Sequence, residues 1–176
     1  MEDPKTIIKP GNELTDDEIR SIDASKAREW KLPEMDQEHK EKHLFVLLKD
    51  KNNNILSQGQ LYNVRNVKFH GEVFNLVEIG GIIANTKNEG YGRKLLDGIK
   101  EYLKINNITG IGFTGNEIIG FYTKCGFSED HTSIDRFVNY QEFTEEVDDC
   151  IFYIDSSDKF MQKVLDNPKE TVYLPK

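Results

Sequence analysis

Apolar and polar residues change their spacing several times along this chain, and the changes divide it into elements. Thr15-Asp-Asp-Glu18 is a capping-box pattern, a hydroxyl followed three residues later by a carboxylate, and predicts a polar helix running toward Trp30. Lys31-Leu-Pro33 breaks that helix, and a stretch mixing acids and bases follows to Lys42. HLFVLLK at 43–49 then reads as a short apolar strand, DKNNN at 50–54 as a turn, and 55–64 as a second, loosely alternating strand. After a break at His70-Gly71, EVFNLVEIGGIIA at 72–84 predicts a long buried strand containing a glycine pair. Polar, glycine-bearing residues 85–92 lead into a helix in which Leu95, Leu96, Ile99, Tyr102 and Leu103 recur at helical spacing, with Lys94, Lys100 and Glu101 outside. Asn106-Asn107 ends it. ITGIGF at 108–113 is a short buried strand, and 116–124 a short helix closed by Gly126. Strands at 136–140 and 150–154 and a helix at 156–165, stopped by Pro168, complete the reading. The order predicts an α/β (α+β) class, a mixed sheet with helices on its faces, in a single domain over 1–176.

Composition narrows the class. Hydrophobic residues make up 37% and charged residues 31%, the balance of a soluble globular chain, and 176 residues suffice for one core. No apolar run approaches the roughly 20 residues that cross a bilayer, and the first residues carry neither a basic nor an apolar leader segment. A cytoplasmic location without membrane contact is the expectation. The formal charge of −8, with acids spread over the whole length, disfavours nucleic acid and suits a cationic partner. Cys125 and Cys150 form no CxxC and have no nearby histidine partner, and His39, His43, His70 and His131 are scattered, so no metal is expected.

The segment 76–104 carries the most chemistry. Lys87-Asn88-Glu89-Gly90-Tyr91-Gly92-Arg93 stands between a buried strand and an amphipathic helix. The first amides of a helix lack intrahelical acceptors and sit at the positive end of its dipole, and glycines let a pyrophosphate come close to them. GxGxxG and GxxxxGK[ST] are both absent, so the common dinucleotide and P-loop motifs are excluded.

What remains resembles the [RQ]xxGx[GA] signature of the GNAT superfamily, the GCN-five-related N-acetyltransferases, with Lys87 where Arg or Gln is usual. Phe121-Tyr-Thr-Lys-Cys-Gly-Phe127 resembles the same family's FYxKxGF segment, and strand, glycine loop, helix, strand and this segment follow in the family's order over residues 43–140. The resemblance implies a mixed, mostly antiparallel sheet of six or seven strands flanked by helices. Two central parallel strands, here 72–84 and 108–113, would splay apart to admit the pantetheine of acetyl-CoA. Gly80-Gly81 inside a buried strand then marks a bulge or a close ligand approach. The loop residues Lys87 to Arg93 would hold the diphosphate, Ile82 and Ile83 would pair with pantetheine, and Asn116 would touch the coenzyme.

Acetyl transfer to an amine needs a base for the ammonium, a donor for the developing oxyanion and an acid for the departing thiolate. Glu78, a carboxylate within FNLVEIGGII and on the strand face opposite Val77 and Ile79, is the candidate base; its alternatives are an ion pair or an edge position. Tyr122 is the candidate acid, with an unperturbed pKa of about 10 near that of a thiol. By composition alone it is a core tyrosine, and the FYxKxGF resemblance points it at the sulfur. The Ile82 amide is the candidate oxyanion donor. Cys125 reads as packing.

For the acceptor, the chain looks most like the aminoglycoside 2'-N-acetyltransferases. Val77-Glu78 precedes the loop at that group's spacing, His43-Leu-Phe follows acids at Glu34 and Asp36, and Asp148-Asp-Cys-Ile-Phe-Tyr-Ile-Asp155 resembles its later strand. The group's terminal Asp-x-Trp has no counterpart here. The likeness implies an anionic pocket of Glu34, Asp36, Glu78 and Asp148 for a small cationic amine, and an antibiotic-resistance role. Acetylation of another amine (a polyamine, amino acid or peptide N-terminus) and non-catalytic acyl-CoA sensing are the alternatives. Proteins of this superfamily often form homodimers; nothing in the sequence decides that.

Overall fold

The structure, a computed structural model, describes residues 3–139 and 148–175, the side chain of His39 excepted. In chain order it runs β1 (Lys5–Pro10), α1 (Asp16–Trp30), α2 (Gln37–Lys42), β2 (His43–Lys49), β3 (Ile55–Phe69), β4 (Glu72–Ala84), α3 (Tyr91–Asn106), β5 (Thr109–Thr114), α4 (Asn116–Lys124), β6 (Ser128–Asp130), β7 (Phe137–Val138), β8 (Cys150–Ile154), α5 (Phe160–Asp166) and β9 (Val172–Tyr173). Seven strands make one mixed sheet in the order β1-β2-β3-β4-β5-β8-β6, and β7 pairs with β9 in a small parallel ribbon. This is the mixed, mostly antiparallel sheet with helices that the sequence predicts. No helix among the described residues is long and apolar enough to cross a membrane.

The chain divides into two compact units, Met1–Tyr62 with Gly81–Ile99, and Asn63–Gly80 with Lys100–Lys176. In the first, β1 and β2 pair antiparallel from Lys5↔Lys49 to Pro10↔Leu44, and β2 pairs antiparallel with β3. Leu14, Ile22, Met35, Phe45, Leu47 and Ile55 form its core cluster. α1 begins as the sequence predicts: the Thr15 hydroxyl accepts from the Glu18 amide and the Glu18 carboxylate accepts from the Thr15 amide, closing the capping box. Lys31 ends the helix in a left-handed conformation, φ 56°. Glu18 does more than cap. Its carboxylate, 5% exposed, also takes Lys49 Nζ and Lys9 Nζ, each at 2.6 Å.

In the second unit β4 and β5 run parallel, with Leu76, Val77 and Glu78 opposite Thr109, Gly110 and Ile111. The register stops at Glu78↔Ile111 although both strands continue. β5 pairs antiparallel with β8, and β8 with β6. Phe160 of α5 packs edge-on against Phe69 and Phe74.

Several element boundaries differ from the sequence reading. The sequence reading predicts none of β1, α2, β6 and β9: KTIIKP mixes lysines and a proline with its two isoleucines, QEHKEK has no apolar residue, and SED and VY are too short to show a period. β3 extends to Phe69, five residues beyond the predicted end. The strand expected at 136–140 is a turn of 3-10 helix followed by two strand residues, with Tyr140 outside the described residues. The helix expected from 156 starts at Phe160, because Ser156 to Lys159 are occupied in turn hydrogen bonds: the Ser156 amide donates to Thr109 Oγ1, and the Phe160 amide to Asp158.

Candidate functional site

The glycine loop lies in the first unit. The Lys94 amide donates to the Gly90 carbonyl at 3.1 Å, so Gly90 is the residue from which α3 starts and the amides of Tyr91, Gly92 and Arg93 form its first turn. Asn88 and Gly90 are both left-handed, φ 65° and 75°, and the loop is exposed from Thr86 to Gly90. The first-turn amides of this sixteen-residue helix open onto an exposed loop, the kind of helix end that can accept an anion. Lys87, the departure from the resembled signature, is tied to α1 by an ion pair with Glu29 at 2.9 Å. That hydrogen bond, with a lesser one from Arg28, draws the Glu29 carboxyl below its ordinary range despite some burial. Ile82 and Ile83 are half-buried and buried at the end of β4, and the Ile83 carbonyl accepts from the Ser57 hydroxyl at 2.9 Å. Gly81 has φ 62° in mid-strand, a left-handed conformation that favours glycine. Glu34 and Asp36 are exposed in the connection before α2.

Glu78, Tyr122, Asn116 and Asp148 belong to the second unit. Glu78 is 2% exposed. Its register with Ile111, and that of Ile111 with Tyr153, set these three on one face of the sheet. Gly110 and Gly112 occupy the other face, and a methyl group at Gly110 would meet Leu103 of α3 at 2.4 Å and Ile79 at 3.0 Å. Val77 and Ile79 therefore lie opposite Glu78, as the alternation predicts. Tyr122 comes from α4, on the face of Gly112, where its ring stacks on Phe152. Glu78 and Tyr122 thus approach from opposite faces, close to where the β4–β5 ladder ends.

Tyr122 is 8% exposed. Burial, reinforced by Cys125 and Asp148, pushes its phenol above the ordinary tyrosine value, so it is protonated throughout the neutral range and is a weaker acid than a free tyrosine. Asp148 is half-buried and close enough to act on that phenol. Asn116 is engaged on both sides of its amide: Nδ2 donates to Asp149 at 2.8 Å, and Oδ1 lies 3.1 Å from His131 Nδ1 and 3.0 Å from Cys150 Sγ. Cys150 Sγ is itself 3.1 Å from His131 Nδ1. The sequence expectation that the cysteines have no nearby histidine is corrected for Cys150, which stands nineteen positions from His131 in the chain and is brought beside it through β6 and β8. Burial, with the surrounding acids, pushes the Cys150 thiol up. Among the described residues no group of three or more His, Cys, Asp or Glu is arranged to hold a metal ion.

No family model and no curated protein matches the sequence. Solved structures do match in shape. The GNAT family N-acetyltransferase YhbS from Escherichia coli, determined in complex with CoA, aligns over 98% of this chain and 90% of its own, with a TM-score of 0.64 and 12% identity. A putative N-acetyltransferase from Lactobacillus plantarum aligns over 86% and 97%, TM-score 0.58, 14% identical. Tetrahymena GCN5 aligns over 85% and 96%, TM-score 0.55, 19% identical. The fold is that of the GNAT N-acetyltransferases. β4 and β5 form a parallel pair, the glycine loop directly precedes a helix, and Tyr122 lies on a short helix after β5, the order along the chain that the resemblance implies. The sequence did not reveal the ring beneath Tyr122 or the Asn116–Asp149–His131–Cys150 cluster. The first had a faint signal in Phe152, an aromatic residue alternating with Cys150 along one strand; the second had none.

Proposed function

We propose that this protein transfers the acetyl group of acetyl-CoA to a primary amine of a small cationic substrate, with an aminoglycoside as the substrate class first to be tested. The observation that carries the reading is the glycine loop opening α3 within a fold shared with an N-acetyltransferase determined with CoA. In this reading the first-turn amides around Gly90 and Gly92 bind the diphosphate, with Lys87 to Arg93 as its surroundings. Ile82 and Ile83 pair with the pantetheine arm. Acetyl-CoA supplies the thioester.

Glu78, at the last position of β4 in register with β5, accepts the proton of the incoming ammonium, directly or through water. The Ile82 amide donates to the oxygen on which charge develops. Tyr122 donates to the departing sulfur from the other face of the sheet; a phenol that holds its proton firmly releases it only as thiolate charge builds beside it. Glu78 and Tyr122 stand on opposite faces of the sheet, near the last β4–β5 register pair, Glu78 with Ile111. Glu34, Asp36, Glu78 and Asp148 are the acids proposed to hold the amino groups of the acceptor.

The test is thiol release from acetyl-CoA with tobramycin, spermidine and a peptide as acceptors. Turnover with a polycationic amine, abolished or greatly slowed in Tyr122→Phe, is the expected result. Tight acetyl-CoA binding by calorimetry with no turnover across the panel overturns the enzymatic reading in favour of an acyl-CoA sensor.

A further inference from the structure

Tyr122 is held by an arrangement that its role as proton donor would require. The Phe152 side chain, on β8, is fully buried, and its residue pairs in register with Gly112 of β5. A β-carbon at Gly112 would come within 2.1 Å of Phe152 Cζ and 2.5 Å of Cε1, so glycine there leaves the space that the ring occupies. The Tyr122 ring stacks on that of Phe152, with centroids 3.7 Å apart and planes within 7°. Phe127 meets both rings edge-on, Phe152 at 5.4 Å and Tyr122 at 6.2 Å, each at 87°. Phe127 is itself fixed to the tyrosine backbone, because its amide donates to the Tyr122 carbonyl at 3.2 Å, which also accepts from the Cys125 amide at 3.0 Å. The Cys125 carbonyl, three residues on, accepts from Lys100 Nζ at 2.6 Å.

A tyrosine has two side-chain torsions. A parallel neighbour on its face and a perpendicular one at its edge confine both, and the hydroxyl at the far end of the ring inherits that restriction. We propose that Phe152 is a positioning residue for acetyl transfer: seated over Gly112 and braced by Phe127, its ring sets where the Tyr122 hydroxyl points. The inference rests on the reading of Tyr122 as the proton donor to sulfur. Displacement of a catalytic group by about 1 Å costs about 100-fold in rate, so a ring that fixes direction without touching substrate is sufficient to matter.

The test is a double-mutant cycle, Phe152→Leu with Tyr122→Phe, assayed by thiol release from acetyl-CoA with spermidine and tobramycin. With Tyr122 present, Phe152→Leu lowers kcat about 10- to 100-fold and leaves the KM for acetyl-CoA within about twofold. In the Tyr122→Phe background the same substitution costs nothing more. An equal loss in both backgrounds, or no loss in either, overturns the positioning role, since a filler of the core acts regardless of the hydroxyl. Full activity of Tyr122→Phe alone overturns the Tyr122 reading instead. If Phe152→Leu does not fold by near-ultraviolet circular dichroism, Phe152→Met and Phe127→Leu go through the same cycle. A second readout needs no acceptor: in the NMR spectrum of tyrosine-labelled protein the two ring edges of Tyr122 give separate signals when flipping is slow. These signals coalesce when Phe152 is replaced by Leu or Met; unchanged flipping overturns the proposal.

Discussion

Two buried carboxylates show how one residue type takes different work from its surroundings. Glu78 sits 2% exposed on a strand face, at the end of a parallel ladder. Its replacement by Gln keeps shape and removes basicity, so turnover is expected to fall about 10²- to 10⁴-fold while acetyl-CoA affinity, measured by calorimetry, stays within about twofold. Unchanged turnover would remove Glu78 from the chemistry. Glu18 is structural. Burial by itself would raise its pKa, but hydrogen bonds from Lys49, Lys9 and the Thr15 amide outweigh that and hold it at about 2, against 4.5 unfolded. The folded value is the lower one, so the stability it contributes is complete above about pH 4.5 and is lost as the pH falls toward 2. Glu18→Gln should cost about 3 kcal/mol at pH 7 by urea denaturation, and the gap from wild type should narrow steadily below pH 4.5. A constant gap down to pH 3 would show that the charge is not what matters.

Helix starts are the informative elements of this chain. The capping box of α1 was legible because it is local: Thr15 and Glu18 are one turn apart and meet whatever surrounds them. Thr15→Ala is expected to lower stability by about 1 kcal/mol in thermal denaturation without altering CoA binding. The start of α3 was legible for the same reason, since glycines between an apolar strand and an amphipathic helix are read from neighbours in sequence. Its lysine was not. Lys87 stands where the resembled signature has Arg or Gln, yet its ammonium is bound to Glu29, 58 residues away. Lys87→Ala should therefore weaken CoA binding by less than about fivefold, an exposed ion pair being worth at most about 1 kcal/mol. A loss of a hundredfold would place the lysine on the diphosphate instead.

At the scale of the whole molecule the charge of −8 sets the field that a substrate meets. If the acceptor is a polycation, kcat/KM for tobramycin should fall several-fold between 20 and 500 mM salt, whereas a neutral amine acceptor should show little change. Equal salt dependence for both would remove the acids from acceptor recognition. Periodicity, turn chemistry and capping all act within a few residues, so the mixed strand-and-helix order, the long strand to Ala84, the glycine loop and the helix bearing Tyr122 were determined by the sequence itself. Strand partnership is different. β1 and β6 are short and polar, and only pairing with β2 and β8 makes them strands. Tertiary structure likewise decided that Phe152 lies beside Gly112 and stacks on Tyr122, that Cys150 meets His131, and that Glu78 and Tyr122 stand on opposite faces near the end of the parallel ladder. Each of these depends on register, which hydrogen bonds between distant segments fix and which no window along the chain contains.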